Sequence, residues 1–286
     1  VDWHLTTKLE KDYNGCPTHQ GGAMDDWRGK WALVTGASAG IGRALAEQLA
    51  AGGANLVLTA RRRERLEQLA ADLRSKHGVH VEVFAADLAR PTAPDEAFTF
   101  TQRKGIGIEL LVNNAGFGAY GEFFKIELAR QLEMVQVNIA AVIHLTHLYL
   151  PPMIERRRGD ILIVASTAGF QGVPYITTYA ATKAFDLLFA EALAEEVRRY
   201  GIRVCALCPG STESEFRYAA GQPERTRGRQ ESAEKVARVG LEALAKGKSS
   251  VVSGLGNLLA VQGQRLAPRR LVTRVAAKLF EPVDAR

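Results

Sequence analysis

Tyr179 and Lys183 stand four positions apart in "TYAATKAFDLLF", so in a helix they share one face, about a turn from each other. An unperturbed phenol titrates near pH ~10, and a neighbouring ammonium stabilises its anion, so the pair can serve as a general acid and base. Such a pair is common in sequences and decides nothing alone. Ser166 lies 13 positions earlier, at the end of "GDILIVAS". A hydroxyl there either satisfies local backbone or holds a substrate oxygen. Asn138 lies in a long helical run, where asparagine is a mediocre helix former that competes for backbone hydrogen bonds.

A second group of residues has the chemistry of phosphate binding. "TGASAGIG", residues 35 to 42, sits where a strand must turn into a helix. Gly36, Gly40 and Gly42 let the backbone approach a pyrophosphate, whose charge is favoured at the helix N-terminus. Ser38 and Ile41 belong to the same turn. Its spacing is TGxxxGxG and not the GxGxxG dinucleotide fingerprint, so taken alone a tight strand-to-helix turn would explain it.

These residues need elements to hold them. From Trp31 onward, β-rich runs alternate with helical ones: "WALVTG", "NLVLTA", "VHVEVFAADL", "IELLVNNAG", "GDILIVAS", "IRVCALCPG" and "SSVVSG" are separated by helix-like segments. Strands alternating with helices imply right-handed crossovers and a parallel sheet covered on both faces. The expectation is one doubly wound α/β domain of about seven strands over residues 28–254. Residues 1–27 read as a polar leader, with Met24 either a start or an internal residue. Residues 255–286 read as a separate basic, amphipathic tail. In "LVTRVAAKLF", Leu271, Val272, Val275, Leu279 and Phe280 form one stripe with Arg274 and Lys278 off it. Two readings stay open: contact with a membrane surface, or packing on the domain or a second subunit.

Composition narrows the class. The 286 residues are 47% hydrophobic and 24% charged, as in an ordinary soluble protein. The net charge of +6 comes from scattered basic clusters with no aromatic–basic motif, which argues against nucleic acid. Three cysteines, Cys16, Cys205 and Cys208, cannot form a disulfide framework and point to a reducing compartment, with cytoplasm as the expectation. Cys205 and Cys208 form a CxxC within a strand, where positions three apart point to opposite faces, so two strand thiols are expected and no metal site. The six histidines show no metal spacing, and His144 and His147 read as helix residues. The apolar stretch "IAAVIHLTHLYL" is too short to span a bilayer, and neither a transmembrane helix nor a signal peptide is expected.

Taken in order, TGxxxGxG, Asp87 in "AADL", "NNAG" at 113–116, Asn138, Ser166, "YAATK" with Tyr179 and Lys183, and "PG" at 209–210 resemble the short-chain dehydrogenase/reductase family over nearly all of the expected domain. The resemblance implies a Rossmann-like fold, a nicotinamide cofactor, and hydride transfer between that cofactor and a carbonyl or alcohol. It also implies Tyr179 as general acid/base, Ser166 on the substrate oxygen, and Lys183 on the phenol and the cofactor ribose. Asn138 would hold a water linking the lysine to solvent. Asn114, Ala115 and Gly116 would line the cofactor, with Asn113 structural; Asp87 and Leu88 would meet the adenine. Pro209 and Gly210 would approach the nicotinamide, with Thr212 beside its carboxamide. Ser214 stands where the family commonly has threonine, and Ser211 where it often has proline. The family's pair of long helices implies a homodimer or homotetramer.

Such folds that take NAD usually offer a carboxylate about 20 residues beyond the glycine turn, to bind the ribose 2′-hydroxyl. Here Ala60 leaves room there for a 2′-phosphate and Arg61 offers it a charged, planar fork. The expected cofactor is NADP(H), and Arg62 and Arg63 read as surface residues. The function expected is an NADP(H)-dependent carbonyl reductase or alcohol dehydrogenase; a catalytically silent NADP(H)-binding sensor or scaffold is the alternative. The substrate is not encoded in any readable pattern, because the segment "STESEFRYAAGQPERTRGRQ" that should cover it is polar and irregular. NADPH should bind more tightly than NADH, and Arg61→Asp should reduce or reverse that preference, by a factor of about ten for each ~1.4 kcal/mol lost. Titration of the two cofactors by fluorescence checks this, and equal affinities in the unmutated protein would refute it.

Overall fold

The computed structural model describes residues 25–221 and 230–281. Seven strands form one sheet: β1 (Trp31–Thr35), β2 (Asn55–Ala60), β3 (Val81–Ala85), β4 (Ile108–Asn113), β5 (Gly159–Val164), β6 (Ile202–Cys208) and β7 (Ser250–Val252). They lie in the order β3-β2-β1-β4-β5-β6-β7, every neighbouring pair parallel. The order reverses between β1 and β4, and such a switch point opens a crevice at the carboxyl ends of the strands.

Helices cover both faces because parallel strands leave both faces apolar. On one face lie α1 (Gly40–Ala51), α2 (Arg63–His77) and a later helix, α7 (Ala233–Ala245). Their Leu45, Leu49, Leu66, Leu69, Val236 and Leu241 bury against Val34, Leu56 and Leu110 of the sheet. On the other face lie α3 (Ala93–Arg103), α4 (Leu128–Glu155) and α5 (Thr177–Val197). Here Leu145, Tyr149, Met153, Leu187 and Leu193 meet Leu111, Ile161 and Val204. Cys205 falls in the first core and Cys208 in the second, as their spacing in a strand requires. Burial pushes both thiols up to about 12. Among the described residues no cluster of His, Cys, Asp and Glu could hold a metal. His144 instead meets Asp95 on the surface, 3.2 Å away.

Three features differ from the sequence expectation. First, the domain begins before residue 28. Asp25–Trp27 form a 3₁₀ turn whose Trp27 is fully buried in the core, and the indole donates to Asp160 Oδ2 at 2.8 Å. The rest of the leader, with Cys16 and Met24, lies outside the described residues.

Second, the C-terminal region is not a separate tail. After β7, α8 (Leu255–Gly263) and α9 (Arg269–Phe280) fold back on the domain, with Ala276 buried. Tyr120 Oη donates to the carbonyl of Phe280 at 2.6 Å. The expected five-residue stripe is divided by this contact: Leu271, Val275 and Leu279 are exposed, while Phe280 packs near Tyr179 and Val272 is half-buried.

Third, the apolar stretch taken as too short belongs to α4, which runs for 28 residues and is by length and composition apolar enough to cross a bilayer. Its inner side, Val137, Ala141, Leu145, Tyr149 and Met153, packs on the sheet. The same composition is what a core helix under a parallel sheet requires. A short helix, α6 (Phe216–Ala219), lies in the connection after β6.

At the amino ends of the strands, Arg203 of β6 bonds both carboxylate oxygens of Asp160, at 2.6 and 2.9 Å, and Asp26 at 2.7 Å. Burial opposes the guanidinium's charge, and the two carboxylates outweigh it and hold the pKa above the ordinary arginine value. Removing one partner of such a buried pair leaves a charge uncompensated. Arg203→Met should therefore lower unfolding stability by about 3 kcal/mol or more, measured by urea denaturation; a loss under about 1 kcal/mol would show that the carboxylates find other partners.

Candidate active site

The crevice at the switch point is built by Thr35 at the end of β1. Its hydroxyl donates to the Val112 carbonyl at 3.0 Å and accepts from the backbone N–H groups of Asn114 and Ala115 at 2.8 and 2.9 Å. Asn114 answers with its amide, donating to the carbonyls of Thr35 at 2.8 Å and Gly36 at 3.3 Å. The glycine turn closes on the same amide: a Cβ at Gly42 would stand 2.3 Å from Asn114 Nδ2 and 2.4 Å from the Gly36 oxygen. No larger residue fits. Asn113 is turned into the core and donates to Thr146 at 3.1 Å.

This turn fits a dinucleotide's phosphates. Helix α1 begins at Gly40 with Ala39 as its N-cap, and among the described residues no side chain caps its first N–H groups, leaving donors and the positive end of the helix dipole for an anion. Ile41 packs on the first core. A cleft of about 670 Å³ opens beside Ser38 and Gly40 and reaches Arg65 and Glu215.

At the end of β2 the arginines are arranged differently from the expectation. Arg62, read from sequence as a surface residue, donates to Ser38 Oγ at 3.0 and 3.3 Å. Arg61 is exposed and stands 4.0 Å from Glu133. The backbone explains the difference: β2 ends at Ala60 and Arg62 is the N-cap of α2, so the chain turns there and brings Arg62 towards Ser38. The Leu88 side chain is buried in the second core, leaving its main chain as what it can offer a base. Asp87 uses Oδ1 to accept from Ala89 N–H at 3.0 Å.

Tyr179 and Lys183 do share one face of α5, and both are buried. The Lys183 ammonium stands 5.9 Å from the centre of the phenol ring. It donates to the Val164 carbonyl at 2.7 Å and to Asp186 Oδ2 at 2.8 Å. Burial holds the Tyr179 phenol above its ordinary value, against Lys183 and the Ser166 hydroxyl, which lower it, and with Asp186, which raises it. Burial thus favours the protonated phenol at rest. Ser166 N-caps a 3₁₀ turn, Thr167–Phe170, and accepts from Ala168 N–H at 3.1 Å. That turn can rest on α5 because Gly169 has no side chain: a Cβ there would lie 2.5 Å from the Lys183 carbonyl.

Asn138 lies in a π-turn, Gln136–Ala140, set into α4. Single π-turns inside α-helices occur frequently at functional sites. Both amide hydrogens and one lone pair of the amide oxygen are used on structure. Nδ2 donates to the Phe117 carbonyl and to Thr182 Oγ1, both at 3.0 Å, and Oδ1 accepts from Phe117 N–H at 3.1 Å. This brace holds "NNAG" beside α5, and leaves the second lone pair of Oδ1 and the main chain of Asn138 as what could hold a water.

After β6 the chain crosses the mouth of the crevice. The Pro209 carbonyl accepts from Thr167 N–H at 2.9 Å. Gly210 packs against Asn257 of α8, and Thr212 donates to the Gly210 carbonyl at 3.2 Å. Ser214 lies over the glycine turn, 3.0 Å from where a Cβ on Gly40 would be. Next to it, Glu215 bonds Arg62 at 2.7 Å and Arg65 at 2.6 Å. Phe216 packs on Tyr179, ring centres 5.0 Å apart. Residues 222–229 of this segment lie outside the described residues. Sequence reasoning missed Arg62, Phe216 and Asp186; only the last left a pattern, a carboxylate seven positions after Tyr179 on the same helical face.

With this geometry in place, the family model for short chain dehydrogenases matches residues 30–225. The chain belongs to that family. The human very-long-chain 3-oxoacyl-CoA reductase is 37% identical over 185 residues, 63% of this chain and 59% of that protein. This short-chain dehydrogenase thus spans about six-tenths of that relative's length. Among solved structures, a short-chain dehydrogenase from Sphingobium yanoikuyae in complex with NADPH superposes with a TM-score of 0.76 at 29% identity, covering 90% of this chain and 98% of that one. A short-chain dehydrogenase/reductase from Burkholderia phymatum in complex with NAD gives 0.75 at 26% identity, with coverage of 84% and 94%. Solved members of the fold thus hold either dinucleotide.

Asn138→Ala would strand the N–H and C=O of Phe117. The expected loss is about 1–3 kcal/mol of unfolding stability, read by urea denaturation; an unchanged midpoint would show that the brace is dispensable.

Proposed function

We infer that this oxidoreductase is an NADP(H)-dependent carbonyl reductase, equivalently an alcohol dehydrogenase in the reverse direction. The observation that carries the reading is the buried Tyr179 phenol, kept protonated, with Lys183 one helical turn away and the Ser166 hydroxyl beside it. When bound, the cofactor supplies the hydride that reduces the carbonyl carbon. Tyr179 gives its proton to the carbonyl oxygen, and Ser166 holds that oxygen in place. Lys183 stabilises the phenolate left behind and grips the ribose hydroxyls. Thr35, Asn114 and the uncapped start of α1 hold the backbone against the pyrophosphate.

The NADP(H) preference is supported by the absence of a carboxylate at Ala60 and by the two guanidinium groups, of Arg61 and Arg62, that follow it. Ser38 joins them through its bond to Arg62. Glu215 now occupies part of Arg62's hydrogen-bonding capacity, and a phosphate would compete with it. A 3-oxoacyl thioester is the first substrate to try, since it carries a ketone and is the substrate class in the human relative's name. A silent sensor would need no buried phenol–ammonium pair, which is why turnover is the discriminating measurement.

Tyr179→Phe removes one oxygen and keeps the ring against Phe216. Turnover with a panel of ketones, including 3-oxoacyl thioesters, should fall by about 10²- to 10⁴-fold while the NADPH dissociation constant changes little. Full turnover in the variant would reject the catalytic assignment, and no turnover in the unmutated protein would favour the sensor.

A further inference from the structure

Asp160, Lys183 and Asp186 are the buried charged side chains among the described residues. Asp160 is accounted for by Arg203. Asp186 is 1% exposed and Lys183 5%, and their ion pair of 2.8 Å lies within the helix that carries the proposed proton donor. Tyr179, Lys183 and Asp186 occupy positions i, i+4 and i+7 of α5, so phenol, ammonium and carboxylate form one column on one face. The second carboxylate oxygen, Oδ1, is buried and has no hydrogen-bond partner among the described residues.

An ion pair in such a place is poor support for the fold itself. Taking two charges out of water costs several kcal/mol per ion, and apolar replacements of similar volume are often neutral or stabilising. What the pair does supply is a fixed ammonium. We propose that Asp186 is a positioning residue of the active site, its carboxylate holding the Lys183 ammonium against the end of β5 and keeping it charged in a water-poor core. The proposal rests on the reading of Lys183 as partner of the phenol and the ribose.

The surroundings leave this work to Asp186. Lys183 faces Tyr179 and Asp186 from its own helix, and the Val164 carbonyl from β5. From β6 it faces the Cys208 thiol, which burial pushes up to about 12, so that it is uncharged at working pH. Glu191 lies nearer Cys208 and bonds Ser250 at 2.8 Å. From the π-turn comes Asn138 and from the lysine's own helix Thr182, both neutral and bonded to each other. Burial acts to lower the lysine's pKa, and Asp186 first and Tyr179 second outweigh it, holding it above the ordinary value. A neutral residue at 186 would leave burial without its main opponent.

The test uses the full chain labelled with ¹³C at lysine Cε, the Lys183 resonance being assigned by its loss in Lys183→Met. Asp186→Asn keeps the shape and removes the charge. Its Lys183 midpoint should fall by about one to three pH units relative to the unmutated protein, whereas Asp186→Glu should keep it high. Asp186→Ser serves as the second neutral variant if Asn does not fold. The second readout is the NADPH dissociation constant at pH ~6.5 and ~9.5. The neutral variant should bind about tenfold more weakly at the higher pH only, as a charge-assisted bond becomes a neutral one.

An unmoved Lys183 midpoint in a folded neutral variant would overturn the proposal. So would equal weakening of NADPH at both pH values, or failure of both neutral variants to fold, since each assigns Asp186 to structure alone. If the unmutated protein bound no NADPH, the functional reading would fail while the lysine midpoint still reported on Asp186.

Discussion

The whole catalytic edge hangs from the junction of Thr35 and Asn114. Two adjacent parallel strands, β1 and β4, leave the sheet here in opposite directions, and their loops have to be kept apart to form a crevice yet close enough to line it together. One hydroxyl and one side-chain amide meet both needs. Thr35 ties β1 to the Val112 carbonyl and takes the first two N–H groups after β4, while Asn114 takes two carbonyls of the glycine turn in return. These are partly buried backbone groups, and leaving such groups unpaired costs more than the bonds are worth singly. The glycines follow from the junction: a turn drawn this tightly onto Asn114 has no room for a Cβ at Gly42.

Helix α5 is then located from three sides. The turn after Ser166 lies on its backbone at Gly169. Asn138 fastens Phe117 to Thr182, linking the loop after β4 to α5 through a π-turn in α4. The Lys183 ammonium reaches back to the end of β5. Two of these contacts come from β5 and the turn that follows it and the third from α4, so Tyr179 is placed by the sheet and its covering helix together. The proton transfer proposed for this phenol would need that, because its usefulness depends on position to within a fraction of an ångström as much as on its acidity.

Much of this was legible in the sequence, and the illegible parts share a cause. The seven parallel strands could be read because each buried strand is a short β-rich run and each helix keeps its own period. The spacing in "YAATK" placed Tyr179 and Lys183 on one face, and the strand period put Cys205 and Cys208 in separate cores. Trp27 was missed because its partner Asp160 is 133 positions away, and no local period marks a contact of that range. The bond from Arg62 to Ser38 was not legible because nothing in a run of three arginines shows where the chain turns into α2. Asn138 could be singled out as an awkward helix residue, but a π-turn has no sequence pattern, so its service to Phe117 was hidden. Asp186 looked like any charged residue on a long helix until its neighbours showed that its face is buried.

The segment after β6 was the least readable stretch, and its geometry shows why composition misled. Read as polar, it seemed to say nothing about the pocket. In the fold its few described residues divide their work by position. Ser214 lies over Gly40, Glu215 bridges Arg62 and Arg65, and Phe216 covers Tyr179. Three successive residues therefore touch the glycine turn, the arginines after β2 and the catalytic helix, and the crevice for the dinucleotide and the space above the phenol share one wall. A wall of that kind needs one apolar face towards the phenol and charged groups towards solvent and the arginines. A polar sequence with a single well-placed aromatic meets that requirement, so average polarity is a poor guide to what such a segment encloses.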